Sequence, residues 1–195
     1  MKRYLTGCPI VADSWSQEMW GWFETPDGYG WAPFRERIAH GAWKNIRENP
    51  KLTINHWEHC QSILARGDDR LVLFETERGL EFVAAIGTAA ESESLWRQVH
   101  EGMVTKMSFM FWDDENTKAS WGWNEEEEIF ERTVTELGLI EHFACVVEPA
   151  YMDTTLDVAL RMKTPTDDEA RSVIARAEAK RTRSKLRVRD AARAA

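Results

Sequence analysis

The chain lacks the features that stabilise small secreted proteins or anchor membrane proteins. It has only three cysteines in 195 residues, Cys8, Cys60 and Cys145, and none of them form a CxxC pair. Three scattered cysteines are too few for a disulfide framework and indicate a reducing compartment. No segment is apolar over the length of a membrane-spanning helix, and the N-terminal residues lack the apolar run of a signal peptide. We therefore expect a soluble, intracellular protein with no membrane partner.

Repeats, nucleic-acid-binding motifs and paired metal ligands are also missing. The sequence has no internal repeat and no recognised nucleic-acid-binding motif. His59 and Cys60 follow His56 at a spacing that invites a zinc site, but a structural zinc site usually has two paired-ligand clusters. The only other candidates, His142 and Cys145, stand far away in the sequence. We therefore predict no metal site and no cofactor.

Charge is unevenly distributed along the chain. The net charge is -8, but residues 166–195 hold nine Lys/Arg against five Asp/Glu, which makes this tail +4 and residues 1–165 -12. Acidic residues begin the tail and basic residues end it, the polarity that a helix dipole favours. We expect a basic helical tail, partly disordered unless bound, that contacts something acidic such as the body of the protein or nucleic acid. The acidic body argues against a nucleic-acid-binding function.

Local patterns predict mostly β-structure in residues 1–165, which we take as one domain. Residues 70–86 contain two β-rich runs around a turn at Gly79, where glycine can adopt a positive φ. Leu95, Val99 and Met103 then recur at the spacing of one helix face. Strands are also expected in segments near both ends and in the middle of the domain, namely 4–12, 51–55, 104–112, 129–137 and 139–151.

Three stretches are expected to be something other than strand. Residues 15–34, rich in tryptophan and glycine, and the acidic residues 113–128 predict loops, whereas residues 36–49 predict a short amphipathic helix. The count is six to eight strands with about two helices. It predicts an α+β, mainly β fold: a closed or nearly closed antiparallel β-barrel flanked by helices, since closure removes unpaired strand edges.

Polar residues interrupt two of the apolar strands. Ser108 lies in the middle of "VTKMSFMFW", where a two-residue period separates it from Met107 and Phe109 on the opposite face. The ordinary interpretation is a buried hydroxyl bonded to a neighbouring carbonyl. Glu141 and His142 interrupt "LIEHFACVVEPAY" and point to opposite faces. A neutral imidazole is easier to bury than a carboxylate, so His142 is the better buried candidate, either as a core histidine or as a functional one.

One reaction would use these polar residues together with His56, which directly follows the strand 51–55. A serine hydroxyl becomes a nucleophile when an imidazole accepts its proton, and a third group must hold that imidazole in the correct tautomer. Ser108, His56 and His142 supply these three parts in an acceptable chain order, since triads are defined by geometry and not by sequence position.

Four segments carry a family likeness in the same order: "FRERIAHGAW", "INHWE", "GMVTKMSFMFW" and "EHFACVVEPAY". Over about residues 5–160 the chain resembles the prohead proteases of tailed bacteriophages, serine endopeptidases with a fold similar to that of herpesvirus assemblins. The resemblance implies Ser108 as nucleophile and His56 as general base. Where many phage members have a glutamate, seven residues before Pro149, this sequence has His142, with Glu141 as the substitute third member.

The resemblance also implies a biological setting. It predicts cleavage of the major capsid protein and its scaffolding segment inside the immature procapsid, in the host cell cytoplasm, together with self-cleavage. A homodimer is expected by analogy with assemblins. The competing interpretation is a catalytically inactive assembly or scaffold module with the same fold, for which the ten tryptophans of the sequence would provide binding surface.

Overall fold

The computed structural model describes residues 3–25, 28–44, 50–56, 63–67 and 70–158. These residues form twelve β-strands and one α-helix, so the prediction of a mainly β protein is confirmed. The strands are β1 (Arg3–Val11), β2 (Met19–Thr25), β3 (Gly28–Ile38), β4 (Lys51–Ile54), β5 (Ile63–Arg66), β6 (Leu71–Glu75), β7 (Gly79–Ile86), β8 (Lys106–Phe111), β9 (Lys118–Asn124), β10 (Ile129–Glu136), β11 (Ile140–Val146) and β12 (Thr155–Val158). The helix α1 (Ala90–His100) lies between β7 and β8.

The strands form three four-stranded sheets. Sheet A has the order β12-β1-β7-β6, sheet B the order β2-β3-β10-β9, and sheet C the order β5-β4-β11-β8. Sheet A is antiparallel throughout, but the central pairs of the other two sheets, β3 with β10 and β4 with β11, are parallel. The chain therefore passes from sheet B to sheet C twice, first between β3 and β4 and later between β10 and β11.

The predicted closed, wholly antiparallel barrel is wrong for the part of the chain that the structure describes. No closed barrel is found there, because the strands divide into three separate sheets and two of the pairings are parallel. Both parallel pairs join strands that are distant in sequence. Local periodicity assigns residues to faces but does not identify such partners.

Cross-strand pairing overrides the predicted loop at residues 15–34. This stretch forms most of the β2–β3 hairpin, in which Trp22 lies opposite Trp31 with their ring centroids 5.6 Å apart. Aromatic residues favour strands, and aromatic cross-strand pairs stabilise them. The acidic stretch 113–128, also predicted as a loop, contains β9, which pairs with β10 along its whole length.

The helix predicted for residues 36–49 is wrong for residues 36–44, the part of this range that the structure describes. Residues 36–38 continue β3, and 41–44 form turns, while 45–49 lie outside the described residues. Pairing with β10 explains the difference, because it places Glu36 opposite Arg132 and Ile38 opposite Val134, and all four side chains are buried. Only one helix therefore flanks the sheets within the described ranges.

The helix predicted around Leu95 is confirmed as α1. Its first turn carries acidic side chains and its last turn basic ones, which is favourable for the helix dipole. Leu95 and Val99 are buried, but Met103 lies beyond the helix end and is 59% exposed. The predicted apolar face therefore ends one turn early.

One apolar cluster holds the three sheets together. It contains Leu5 and Phe82 from sheet A, Ile38 and Val134 from sheet B, and Phe143 from sheet C, together with side chains of α1. Within the described residues, no helix is both long enough and apolar enough to cross a membrane. The tail, residues 166–195, lies outside the described ranges, so its predicted helix stays a prediction.

Candidate active site

Two of the predicted site residues project from the same face of sheet C. Ser108 on β8 lies opposite Ala144 on β11, and the next row pairs Met110 with His142. Residues that lie opposite each other in register project to the same face, as do residues two apart on one strand. Ser108 and His142 are therefore neighbours on one face, one row apart. Both are buried, with relative exposures of 5% and 0%.

The opposite face of these strands belongs to the hydrophobic core. Met107, Phe109, Phe143 and Cys145 alternate with the site residues and are all buried in the apolar cluster. The division into two faces that the sequence predicts for β8 is therefore confirmed. Burial raises the pKa of the Cys145 thiol, and its position on the core face separates it from His142.

A turn directly after β4 brings the third predicted residue to this face. Asn55 has φ +50, a left-handed conformation that asparagine tolerates better than most residues. Its N–H donates to the Cys145 carbonyl at 3.0 Å, and its own carbonyl accepts a hydrogen bond from the Thr53 hydroxyl at 2.7 Å. The chain turns here, and His56 Nδ1 lies 3.0 Å from His142 Nε2, within hydrogen-bonding distance.

The environment favours a neutral His56. Burial is the largest cause that lowers its pKa, and the neighbouring His142 lowers it further. A neutral imidazole at neutral pH can accept a proton, which is the property that a general base needs. His56 also keeps contact with solvent, whereas His142 is completely enclosed. The pair thus has one exposed ring and one buried ring.

Ser108 and Glu141 lack the contact with His56 that His142 makes. The Ser108 hydroxyl makes no hydrogen bond with the residues that the structure describes, and the bond to His56 that a triad needs is not formed. Such bonds are often long in unliganded sites and shorten when substrate binds. Glu141 lies where the register of β8 and β11 shifts, is partly exposed, and makes no hydrogen bond to His56.

A threonine that sequence reasoning did not identify fixes the strand next to Ser108. Thr154 is fully buried; its hydroxyl donates to the Met107 carbonyl at 2.7 Å and accepts from the Met107 N–H at 3.2 Å. One side chain thus satisfies both backbone groups of the residue before Ser108. No spacing in the sequence indicates this contact, since the two residues are 47 positions apart.

Sequence reasoning also missed a buried ionic network behind β8. Arg132 Nη1 donates to Glu36 Oε2 at 2.9 Å, and the Tyr151 hydroxyl donates to Glu36 Oε1 at 2.7 Å. Arg132 also pairs with Asp113, and the Tyr151 ring stacks on Phe109 at 5.3 Å. Burial raises the pKa of both Glu36 and Tyr151. The network joins sheet B to the segment that follows β11.

Ser108, His56 and His142 bring to one side of sheet C the residue types that serine peptidases combine. The described residues contain no group of three or more His, Cys, Asp or Glu that could hold a metal ion. A family model described as caudovirus prohead serine protease matches residues 12–169. The chain belongs to this family, whose members are serine peptidases of bacteriophage capsid maturation. No curated protein and no solved structure matches the chain.

Proposed function

We propose that this chain is the endopeptidase that cleaves the capsid protein and its scaffolding segment inside the immature procapsid, in the host cytoplasm. Ser108 is the nucleophile, His56 the general base and His142 the third member of the triad. The observation that carries the proposal is the 3.0 Å contact between His56 Nδ1 and His142 Nε2 beside a buried serine on the same face. Membership of the prohead serine protease family supports it.

The contact determines how His56 would work. Because its Nδ1 faces His142, its Nε2 is the atom that accepts the Ser108 proton. The Ser108 oxygen then attacks the peptide carbonyl carbon, and His56 returns the proton to the leaving amine. Water, activated by the same nitrogen, attacks the acyl-serine ester and releases the second product.

The third member influences the rate. A neutral His142 that accepts a hydrogen bond from His56 Nδ1–H fixes the tautomer, but it stabilises the imidazolium less than a carboxylate would. We therefore expect a slow enzyme, which is adequate for a protease that meets a limited number of substrate chains within one shell. Glu141 is the alternative third member, and it lacks the contact with His56 that supports His142.

Cleavage of the protease's own chain belongs to the same proposal. Residues 1–165 are the catalytic domain, and residues 166–195 are a basic tail that acts as a packaging signal and is removed late in maturation. A protease expressed without this tail should be packaged poorly into procapsids. Normal packaging of the truncated protease would contradict the role of the tail.

A serine-directed phosphonate tests the catalytic assignment. We expect it to label the wild-type chain at Ser108 and not to label Ser108→Ala. Co-expressed capsid protein should stay uncleaved with Ser108→Ala but be processed by Ser120→Ala, a control that alters an exposed strand serine. Processing by Ser108→Ala would disprove the assignment.

A second function is favoured by one observation, the exposure of several large aromatic side chains on sheet B. In this alternative the chain is a catalytically inactive assembly module that binds other prohead proteins, with or without forming a homodimer. It predicts no phosphonate labelling of the wild-type chain and normal procapsid assembly by Ser108→Ala.

A further inference from the structure

The β2–β3 hairpin exposes four aromatic side chains on one face of sheet B. Trp20, Trp22, Tyr29 and Trp31 are 50%, 59%, 73% and 54% exposed, and we call them the tryptophan face. The ring of Trp22 stacks on Tyr29 at 5.8 Å and contacts Trp31 edge-on at 5.6 Å, so these three rings form a continuous surface, and Trp20 lies on the same face two residues before Trp22.

The size of this face favours a peptide as its occupant. Half-exposed rings contribute roughly 100 Å² each, which gives on the order of 400 Å² of aromatic surface. The largest apolar patch on a typical monomer is about 300–600 Å² and is often functional. This aromatic surface is only about half of the roughly 800 Å² per partner that a stable interface between two folded proteins buries. A short segment of extended chain therefore fits better than a second folded copy.

Carboxylates lie near the tryptophan face in two places. The turn between β9 and β10 carries four consecutive exposed glutamates, residues 125–128, and Glu18 accepts a hydrogen bond from Trp20 Nε1 at 2.9 Å. Arg35 binds this turn through Glu127 at 2.8 Å and also pairs with Glu131, which neutralises its charge. The surroundings are therefore net negative, which complements a basic ligand.

Two arginines on the same side of sheet B lie over an aromatic ring of the protein itself. The guanidinium carbons of Arg35 and Arg37 lie 4.8 and 4.9 Å from the centroid of the Trp15 ring. Both arginines project from the side of β3 that carries Trp31, since residues two apart on a strand share a face. Arginine on tryptophan is thus a contact that this surface makes within its own fold, and cation–π attraction favours it.

We propose that residues 176–193 of the same chain bind to the tryptophan face. This segment holds eight Lys/Arg and two Asp/Glu, so its charge complements the glutamate turn, and its arginines match the exposed rings. Seventeen residues separate it from the end of β12 at Val158. Extended, they span about 55 Å, more than the roughly 40 Å diameter of a domain of this size. Cleavage of the chain between 158 and 176 would then uncover the face.

Trypsin accessibility tests this binding in the full chain. All variants carry Ser108→Ala, so that self-cleavage cannot remove the tail and the result does not depend on the catalytic proposal. The measured quantity is the initial rate of cleavage within residues 176–193, followed by mass spectrometry. We expect Trp22→Ala/Trp31→Ala to be cut about tenfold faster than the parent, since two cation–π contacts are lost. Trp123→Ala, which removes a half-exposed ring from β9, should match the parent.

Charge variants provide a second test that leaves the aromatic hairpin intact. The single charge reversal Glu126→Lys should also accelerate cleavage of the tail, and salt should accelerate it in the parent. Glu77→Lys, on the exposed β6–β7 turn, is the matched control and should have no effect. Equal rates in all of these proteins would overturn the proposal.

A photo-crosslinker at position 186 locates the binding site directly. We expect crosslinks to peptides from the β2–β3 hairpin within the same chain. Crosslinks to another surface would overturn the proposal. In an equal mixture of isotopically light and heavy chains, crosslinks that join unlike chains as often as like chains would also overturn it, because the occupant would then be the tail of a second copy.

Discussion

At the residue scale, Ser108 combines burial with a hydroxyl that makes no hydrogen bond within the described part of the chain. A serine retained for structure would bond to a nearby carbonyl, and its loss would lower the free energy of unfolding by about 1 kcal/mol. Ser108→Ala should instead leave the urea midpoint unchanged, since the hydroxyl has no hydrogen bond within the described residues to lose and is not one of their fully enclosed polar atoms without a partner. A clear loss of stability would restore the structural interpretation of this serine.

The two candidates for the third triad position can be ranked by kinetics. His142 contacts His56, whereas Glu141 does not, so we expect His142→Ala to reduce kcat/KM for a peptide substrate by about 10²- to 10⁴-fold. Glu141→Ala should reduce it less than about tenfold. Circular dichroism of each variant checks that the fold is retained. The opposite ranking would assign the role to Glu141.

The lowered pKa of His56 determines the direction of its pH effects. Folding depresses this pKa below 6.5, mainly through burial, so the unfolded chain binds the proton more tightly. Stability is then fully present above pH 6.5 and declines as the pH falls below it. The acid limb of kcat/KM should likewise have its midpoint below pH 6.5. Urea titrations across pH 5–8 should show a shallower decline for His56→Gln, and an identical decline would contradict the assignment.

At the scale of elements, the Glu36–Arg132 pair connects β3 and β10 in a buried setting. Removing Arg132 leaves a buried carboxylate without its cation, so Arg132→Met should lower the free energy of unfolding by about 3–5 kcal/mol. The exposed pair Arg97–Glu93 on α1 has a similar distance, 2.8 against 2.9 Å, and is the natural control. Arg97→Met should change stability by at most about 0.5 kcal/mol. Similar effects of the two substitutions would show that burial does not govern the energetics.

The neighbouring elements also explain how the site is supported. Thr154 binds the backbone of Met107 next to Ser108, and Tyr151 packs behind the same strand on Phe109. Both residues lie in the segment between β11 and β12. This segment therefore contacts β8 at its backbone edge through Thr154 and at its buried face through Tyr151. Both contacts fix the position of Ser108 next to β11.

At the scale of the whole molecule, the shared apolar cluster predicts that the three sheets unfold together. Two buried thiols report on this: Cys8 in sheet A, whose pKa burial raises to about 11, and Cys145 in sheet C, whose pKa burial also raises. In a Cys60→Ser background, a thiol reagent should reach both with one urea midpoint. Two separate midpoints would show that the sheets unfold independently.

Local sequence patterns predicted the elements in which apolar residues recur at the spacing of one buried face. The 70–86 hairpin, the helix around Leu95 and the strand around Ser108 are all confirmed. In β7, α1 and β8, apolar side chains are buried at the spacing of one face. The patterns failed for β2, β3 and β9. β2 and β9 carry aromatic and glycine residues on exposed surfaces, which resembles the composition of a loop, and the buried face of β3 includes the charged Glu36.

The sequence by itself determined that the protein is mainly β, that Ser108 and His142 interrupt apolar strands, and that its charge separates into an acidic body and a basic tail. Only the tertiary structure decided that His56 contacts His142 across 86 residues of chain, that Glu36 meets Arg132 in the core, and that four aromatic side chains share one open face. Periodicity is a property of neighbouring residues, and it fixes which way a side chain points. Which strands lie next to each other depends on how distant segments together bury apolar surface, and that is settled only when the whole chain packs.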